Sequence, residues 1–120
     1  MKTILLVISL ALSSTAVLAQ SADREIQFLI DSVGREGCGF IRNSRRLSTH
    51  SARAHLQSKW ELNARYVQTA EDFISKLAST SVTSGEPYQI KCRREDAQAA
   101  GQWFTERLRQ YRDREGAGST

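Results

Sequence analysis

His55 and Lys59 stand four residues apart in a stretch with helical periodicity, so both side chains leave the same side of that helix. A lysine beside a histidine favours the neutral imidazole, the form that accepts a proton or a hydrogen bond. Three further polar residues belong with this pair. Arg42 ends a short extended stretch, Ser84 lies in a hydroxyl-rich loop, and Tyr88 opens a run of alternating apolar and polar residues. Arg42, His55, Lys59, Ser84 and Tyr88 are therefore the expected binding residues. Arg42, His55 and Lys59 are expected to border a small anion-accepting groove between the second helix and the sheet. Structural duty also accounts for Ser84 in a turn and Tyr88 on a strand. For the pair, the alternative is a histidine at the core margin and a lysine reaching to water.

Catalytic chemistry finds less support. No G-x-S-x-G elbow, H-E-x-x-H or paired-carboxylate motif occurs, and the helix dipole explains Glu71 and Asp72 at a helix start. The Thr80-Ser81-Val82-Thr83-Ser84-Gly85 loop offers hydroxyls and a pliable backbone for an anion but lacks phosphate-loop spacing. Two histidines and two cysteines without close spacing do not make a metal site. No catalytic residue, metal or cofactor is therefore assigned. A second reading is a hydrolase or transferase using His55 with a serine of the 79–84 segment, which requires a hydroxyl within reach of the ring and a third group to orient it. A third is an inhibitor of a lytic enzyme that presents the Ser79–Pro87 loop.

The first nineteen residues have the layout of a secretory signal peptide: Lys2, the apolar run Ile4 to Leu12, and small Val17 and Ala19 before Gln20. That run is shorter than the roughly 20 residues a membrane span needs, so cleavage after Ala19 and no remaining span are expected. Only Lys2 is lost, leaving 16 basic against 13 acidic side chains. This mild excess is not that of a nucleic-acid-binding protein. In an exported chain, Cys38 and Cys92 are expected to form one disulfide, although Cys38 as a nucleophile paired with His55 competes.

These residues need elements to position them. Ser21 is expected to cap a first helix whose apolar face is Ile26, Leu29, Ile30 and Val33, stopped by Gly34 and Gly37. Cys38 to Arg42 reads as extended, and Asn43 to Arg46 as a polar turn. Ser48 or Thr49 caps a second helix reaching about Arg65, with Ala52, Leu56 and Trp60 on one stripe, and Thr69 opens a third in the manner of a capping box. Tyr88, Ile90 and Cys92 alternate as a second strand, and Ala100, Trp103, Phe104, Leu108 and Tyr111 mark the last helix. The expected fold is α+β: a single helix-rich domain over residues 20–112, with about four helices packed on a minimal two-stranded sheet. Residues 113–120 are expected to be a disordered tail. Arg42, Arg45 and Arg46 form a basic turn, which joins Arg93 and Arg94 in one patch if the two strands are neighbours.

Four strings follow in order: Phe40-Ile41-Arg42-Asn43, Ala52-x-x-His55-Leu56-x-x-Lys59, Thr69-Ala70-Glu71-Asp72-Phe73-Ile74, and Ser81-x-x-Ser84-Gly85-x-Pro87-Tyr88-x-Ile90. Together they resemble the YfeK-like small exported bacterial proteins, a domain-of-unknown-function family, over roughly residues 23 to 112. The chain departs from that pattern at Ser44 and Leu47. The resemblance implies a bacterial periplasmic location and one compact domain, and it implies no activity. The expected function is a non-enzymatic binding or interaction module whose partner is an envelope protein or an anionic envelope component.

Overall fold

The computed structural model describes residues 11–118, and the side chains of residues 17–116. Helix α1 spans Ala11–Ser32, α2 Thr49–Leu62, α3 Ala70–Lys76 and α4 Ala100–Gly118. The strands are β1 Gly39–Arg42, β2 Arg45–Arg46, β3 Gln89–Lys91 and β4 Gln98–Ala99. They form one antiparallel sheet in the order β2-β1-β3-β4. The α+β class holds, but the sheet has four strands rather than two.

Both extra strands are two residues long, too short for an alternating pattern to register. Asn43 and Ser44 take φ of 52° and 65°, the positive pair that closes a two-residue hairpin, so the expected polar turn returns as β2. Strand β4 pairs Gln98 with Ile90 and Ala99 with Gln89, then runs straight into α4.

Ser21 does not start α1. No Gly or Pro interrupts residues 11–20, and the helix runs through Ser21 from Ala11. Its stripe is as expected: Ile26, Leu29, Ile30 and Val33 are all buried. The helix ends at Gly34, which takes a φ of +89°, and a Cβ there would lie 2.3–2.9 Å from Thr49 side-chain atoms. Its last carbonyls are also answered from elsewhere: Arg35 and Arg53 both donate to Asp31 O, and Arg53 donates to Val33 O. Of the expected leader, residues 1–10 lie outside the described residues. Among the described residues no helix is long and apolar enough to cross a membrane.

Ser48 caps α2 by accepting the Ser51 N–H, and Thr69 caps α3 by accepting the Asp72 N–H. Helix α2 stops at Leu62 and gives way to a 3-10 turn at Ala64–Tyr66. The Asn63 side chain donates to Lys59 O and satisfies a carbonyl that a longer helix would have used. Helix α4 continues past residue 112 to Gly118, so the expected tail falls on its last turns and on residues 119 and 120, which lie outside the described residues.

The core lies between the helices and one face of the sheet. Phe40, Tyr88 and Ile90 meet the buried stripes of α1 and α2, Phe73 of α3, and Phe104 of α4. Phe73 contacts the edges of both Trp60 and Phe104, at ring distances of 6.5 and 6.4 Å. Since Phe40 pairs with Ile90 and Gly39 with Lys91, the next pair outward is Cys38 with Cys92 on the core side. They form the expected disulfide, bridging the two strands. Arg112 ties α4 to α1 and α3 at the surface by donating to Glu25 and Glu71.

Candidate functional site

Strand alternation puts Arg42 on the same face of β1 as Phe40, and Tyr88 on the same face as Ile90. Both therefore point toward the helices, where the α2 side carrying His55 and Lys59 closes over them. Tyr88 is held from several directions. Its N–H donates to Ser79 O and its carbonyl accepts from Ala100 N–H. Its ring packs on Phe40 at 4.9 Å and leaves 1% of the residue exposed.

The phenolic oxygen is the hub of the site. His55 Nε2 lies 2.9 Å from it, and Lys59 Nζ donates to it at 3.1 Å. Lys59 Nζ also sits 4.9 Å from the ring centroid and donates to Thr80 O at 3.5 Å. Burial, then the charges of Arg42 and Lys59, hold the His55 pKa below its ordinary value. With the imidazole neutral and the ammonium filling one lone pair, the buried phenol and the half-buried Nε2 are both satisfied when Tyr88 O–H donates to Nε2 and the ring proton sits on Nδ1.

Arg42 completes the group. It is half-buried, and its charge is felt by His55. Its Nε is buried with no hydrogen-bond partner among the described residues. An amide-like donor left in that state costs about 1–3 kcal/mol, more when charged. Among the described residues no carboxylate pairs with Arg42 or with Lys59, whereas Arg107, Arg109, Arg112 and Lys76 all have acidic partners. Two cations without counter-charges thus flank a neutral imidazole and a phenol, an arrangement suited to accept an anion.

Of the expected residues, Arg42, His55, Lys59 and Tyr88 come together, and Ser84 stands beside them in a different role. Its hydroxyl donates to Asn43 Oδ1 at 2.5 Å and accepts the Glu86 N–H, pinning the 80–87 loop to the β1–β2 turn next to Arg42. Ser81 N–H to Glu86 O and Gly85 N–H to Ser81 O close that loop. The serines do not reach His55: Ser79 donates to Ile74 O and Ser81 bonds Thr83. The hydroxyl on the imidazole belongs to Tyr88, so the serine nucleophile of the second reading is not in position. Thr80 O is the contributor that the sequence did not suggest, since a backbone carbonyl leaves no residue-type signal. Cys38 is in the disulfide and is no nucleophile.

A cleft of about 710 Å³ lies elsewhere, between α1 and the Val67–Glu71 segment. The Arg112 in its wall is already neutralised by Glu25 and Glu71, so it offers an anion nothing. Among the described residues no cluster of histidine, cysteine and carboxylates is placed to hold a metal.

The fold and site define a small α+β domain in which a buried phenol gathers His55 and Lys59 on the side of the sheet that carries Arg42. The chain belongs to a family of unknown function, DUF5329, whose model matches residues 20–112. That match agrees with the expectation of an unknown-function family and does not tie the chain to YfeK-like proteins. No curated protein and no solved structure matches the chain.

Proposed function

We propose that the domain is a non-enzymatic binding module, exported to the bacterial periplasm, that holds an anionic group of an envelope component between Arg42 and Lys59. The observation that carries this reading is the Arg42 Nε–H, buried without an acceptor beside a second unneutralised cation. A carboxylate or phosphate oxygen supplies the missing acceptor. The Nε edge of a guanidinium also presents a second parallel N–H for bidentate capture. Tyr88, itself bonded to His55, holds Lys59 in place with Thr80 O. The leader-like first nineteen residues support the periplasmic part of the reading.

Calorimetric titration with inorganic phosphate and with succinate tests the proposal. Arg42→Gln and Lys59→Gln should each weaken binding about tenfold or more, as expected for losing a charge-assisted bond. Equal affinity in wild type and Arg42→Gln overturns it.

One observation favours a second reading, the plug-like inhibitor. The pinned 80–87 loop carries Val82 at 83% exposure, an apolar residue held out on a closed loop. Val82→Glu should abolish inhibition of a susceptible lytic enzyme and leave anion binding intact.

A further inference from the structure

The other face of the sheet carries a second set of cations. Alternation sends Gly39 and Ile41 of β1, Gln89 and Lys91 of β3, Arg46 of β2 and Ala99 of β4 away from the core. Extending the register of Gly39 with Lys91 sets Gly37 opposite Arg93 on this face. The glycines act as a floor. A Cβ on Gly39 would lie 2.2–2.6 Å from three guanidinium atoms of Arg46, and one on Gly37 would lie 2.6–2.8 Å from Arg93 side-chain atoms. Both arginines therefore lie along the backbone, where any larger residue would lift them off.

Arg46, Lys91 and Arg93 have no acidic partner among the described residues, and Lys91 donates only to Cys92 O. No carboxylate projects from the paired positions of this face. Arg46, Gln89, Arg93 and Ala99 are exposed. Ion pairs such as Arg112 with Glu25 and Glu71 lie instead on the helical side. The basic patch expected around Arg42 thus divides: Arg42 turns to the anion site, and Arg46 joins Arg93 on the open face.

We infer that this open face docks on a bilayer containing anionic lipid. Charge complementarity requires an anionic partner, and the relief selects its form. The arginines lie flat on a glycine floor, with Ile41, Gln89 and Ala99 between them in the register; the cleft that Arg93 borders opens away from the paired positions, toward α4, with Glu36, Glu95 and Glu106 in its wall. Such a surface fits a plane of headgroup phosphates better than a shaped acidic protein. Docking this way leaves Arg42 and Lys59, on the opposite side of the sheet, clear of the membrane. The inference does not depend on the anion site.

The test is co-sedimentation of the protein, purified after export, with phosphatidylcholine vesicles and with vesicles that also contain phosphatidylglycerol. Binding only to the anionic vesicles, weakening as salt is added, is expected. The combined R46Q, K91Q and R93Q variant should bind roughly a hundredfold less, at about fivefold per cation near a charged surface. Lys91→Gln alone leaves both glycine-packed arginines intact and should cost about fivefold without changing thermal stability. Equal binding to neutral vesicles, or an unchanged triple variant, overturns the inference. So does tighter binding to soluble polyaspartate than to anionic vesicles at equal charge, which would mark an acidic protein partner.

Discussion

The imidazole Nε2 of His55 and the phenolic oxygen of Tyr88 lie 2.9 Å apart, coupling α2 to the residue that leads into β3. Lys59, one turn on from His55, completes the junction from above the ring. Three polar heads thus meet at a core margin where apolar contacts would serve stability equally well. Arg42 stands near them with a donor that nothing among the described residues satisfies.

Tyr88→Phe keeps the ring between Phe40 and His55 and removes only the hydroxyl. It strands the imidazole nitrogen and one ammonium proton, so stability should fall by about 1–3 kcal/mol. Urea unfolding checks this. Tyr88→Ala also opens a cavity under Phe40 and should cost about 3–5 kcal/mol.

The depressed pKa of His55 makes stability depend on pH in a defined direction. The unfolded chain, with an ordinary histidine near pH 6.5, takes up this proton before the folded protein does. The contribution is therefore complete above about pH 6.5 and is lost as pH falls through the folded pKa. Unfolding midpoints from neutral to mildly acidic pH should drop in wild type and less steeply in His55→Gln. A bound anion favours imidazolium and should raise the His55 pKa.

Reduction of Cys38–Cys92 releases a 54-residue separation. The chain-entropy model gives about 4 kcal/mol for a loop of this size, so the reduced protein should unfold at markedly lower denaturant. The paired Cys38→Ser and Cys92→Ser variant should match the reduced protein and be insensitive to reductant.

Arg112→Ala removes the surface tie between α1, α3 and α4. Its bonds to Glu25 and Glu71 are partly exposed, with 44% of the Arg112 side chain accessible. The loss should be about 1 kcal/mol or less and should shrink in high salt. The hydrogen bond from Arg112 also pulls the Glu71 carboxyl below its usual range, so this small contribution is present above the ordinary carboxylate pKa and fades as acid protonates Glu71.

How far the sequence could be read follows from what each pattern encodes. The stripes of α1 and α4 and the Tyr88-Ile90-Cys92 alternation are periodic over several residues, and burial follows them closely. The i,i+4 spacing places His55 and Lys59 together, whereas the register of β1 is what sets Arg42 on their side of the sheet. Strands β2 and β4 have no period to show, because two residues cannot alternate. Asn43-Ser44 is also a weaker hairpin signal than Asn-Gly. Residue type suggests both a binding and a turn role for Ser84, and its hydroxyl donates to Asn43 Oδ1, a tertiary bond that residue type does not show. Thr80 O and the glycine floor under Arg46 and Arg93 arise from tertiary approach, which no local spacing reveals.

The central claim concerns one proton, the Nε–H of Arg42. Its nitrogen-15 resonance, followed by nuclear magnetic resonance while inorganic phosphate is added, tests that claim most directly. The account predicts a saturable downfield shift of Arg42 Nε–H together with a rise in the His55 pKa, both lost in Lys59→Gln or strongly weakened. An Arg42 Nε–H that stays fixed while exposed arginines such as Arg45 and Arg94 shift would contradict it.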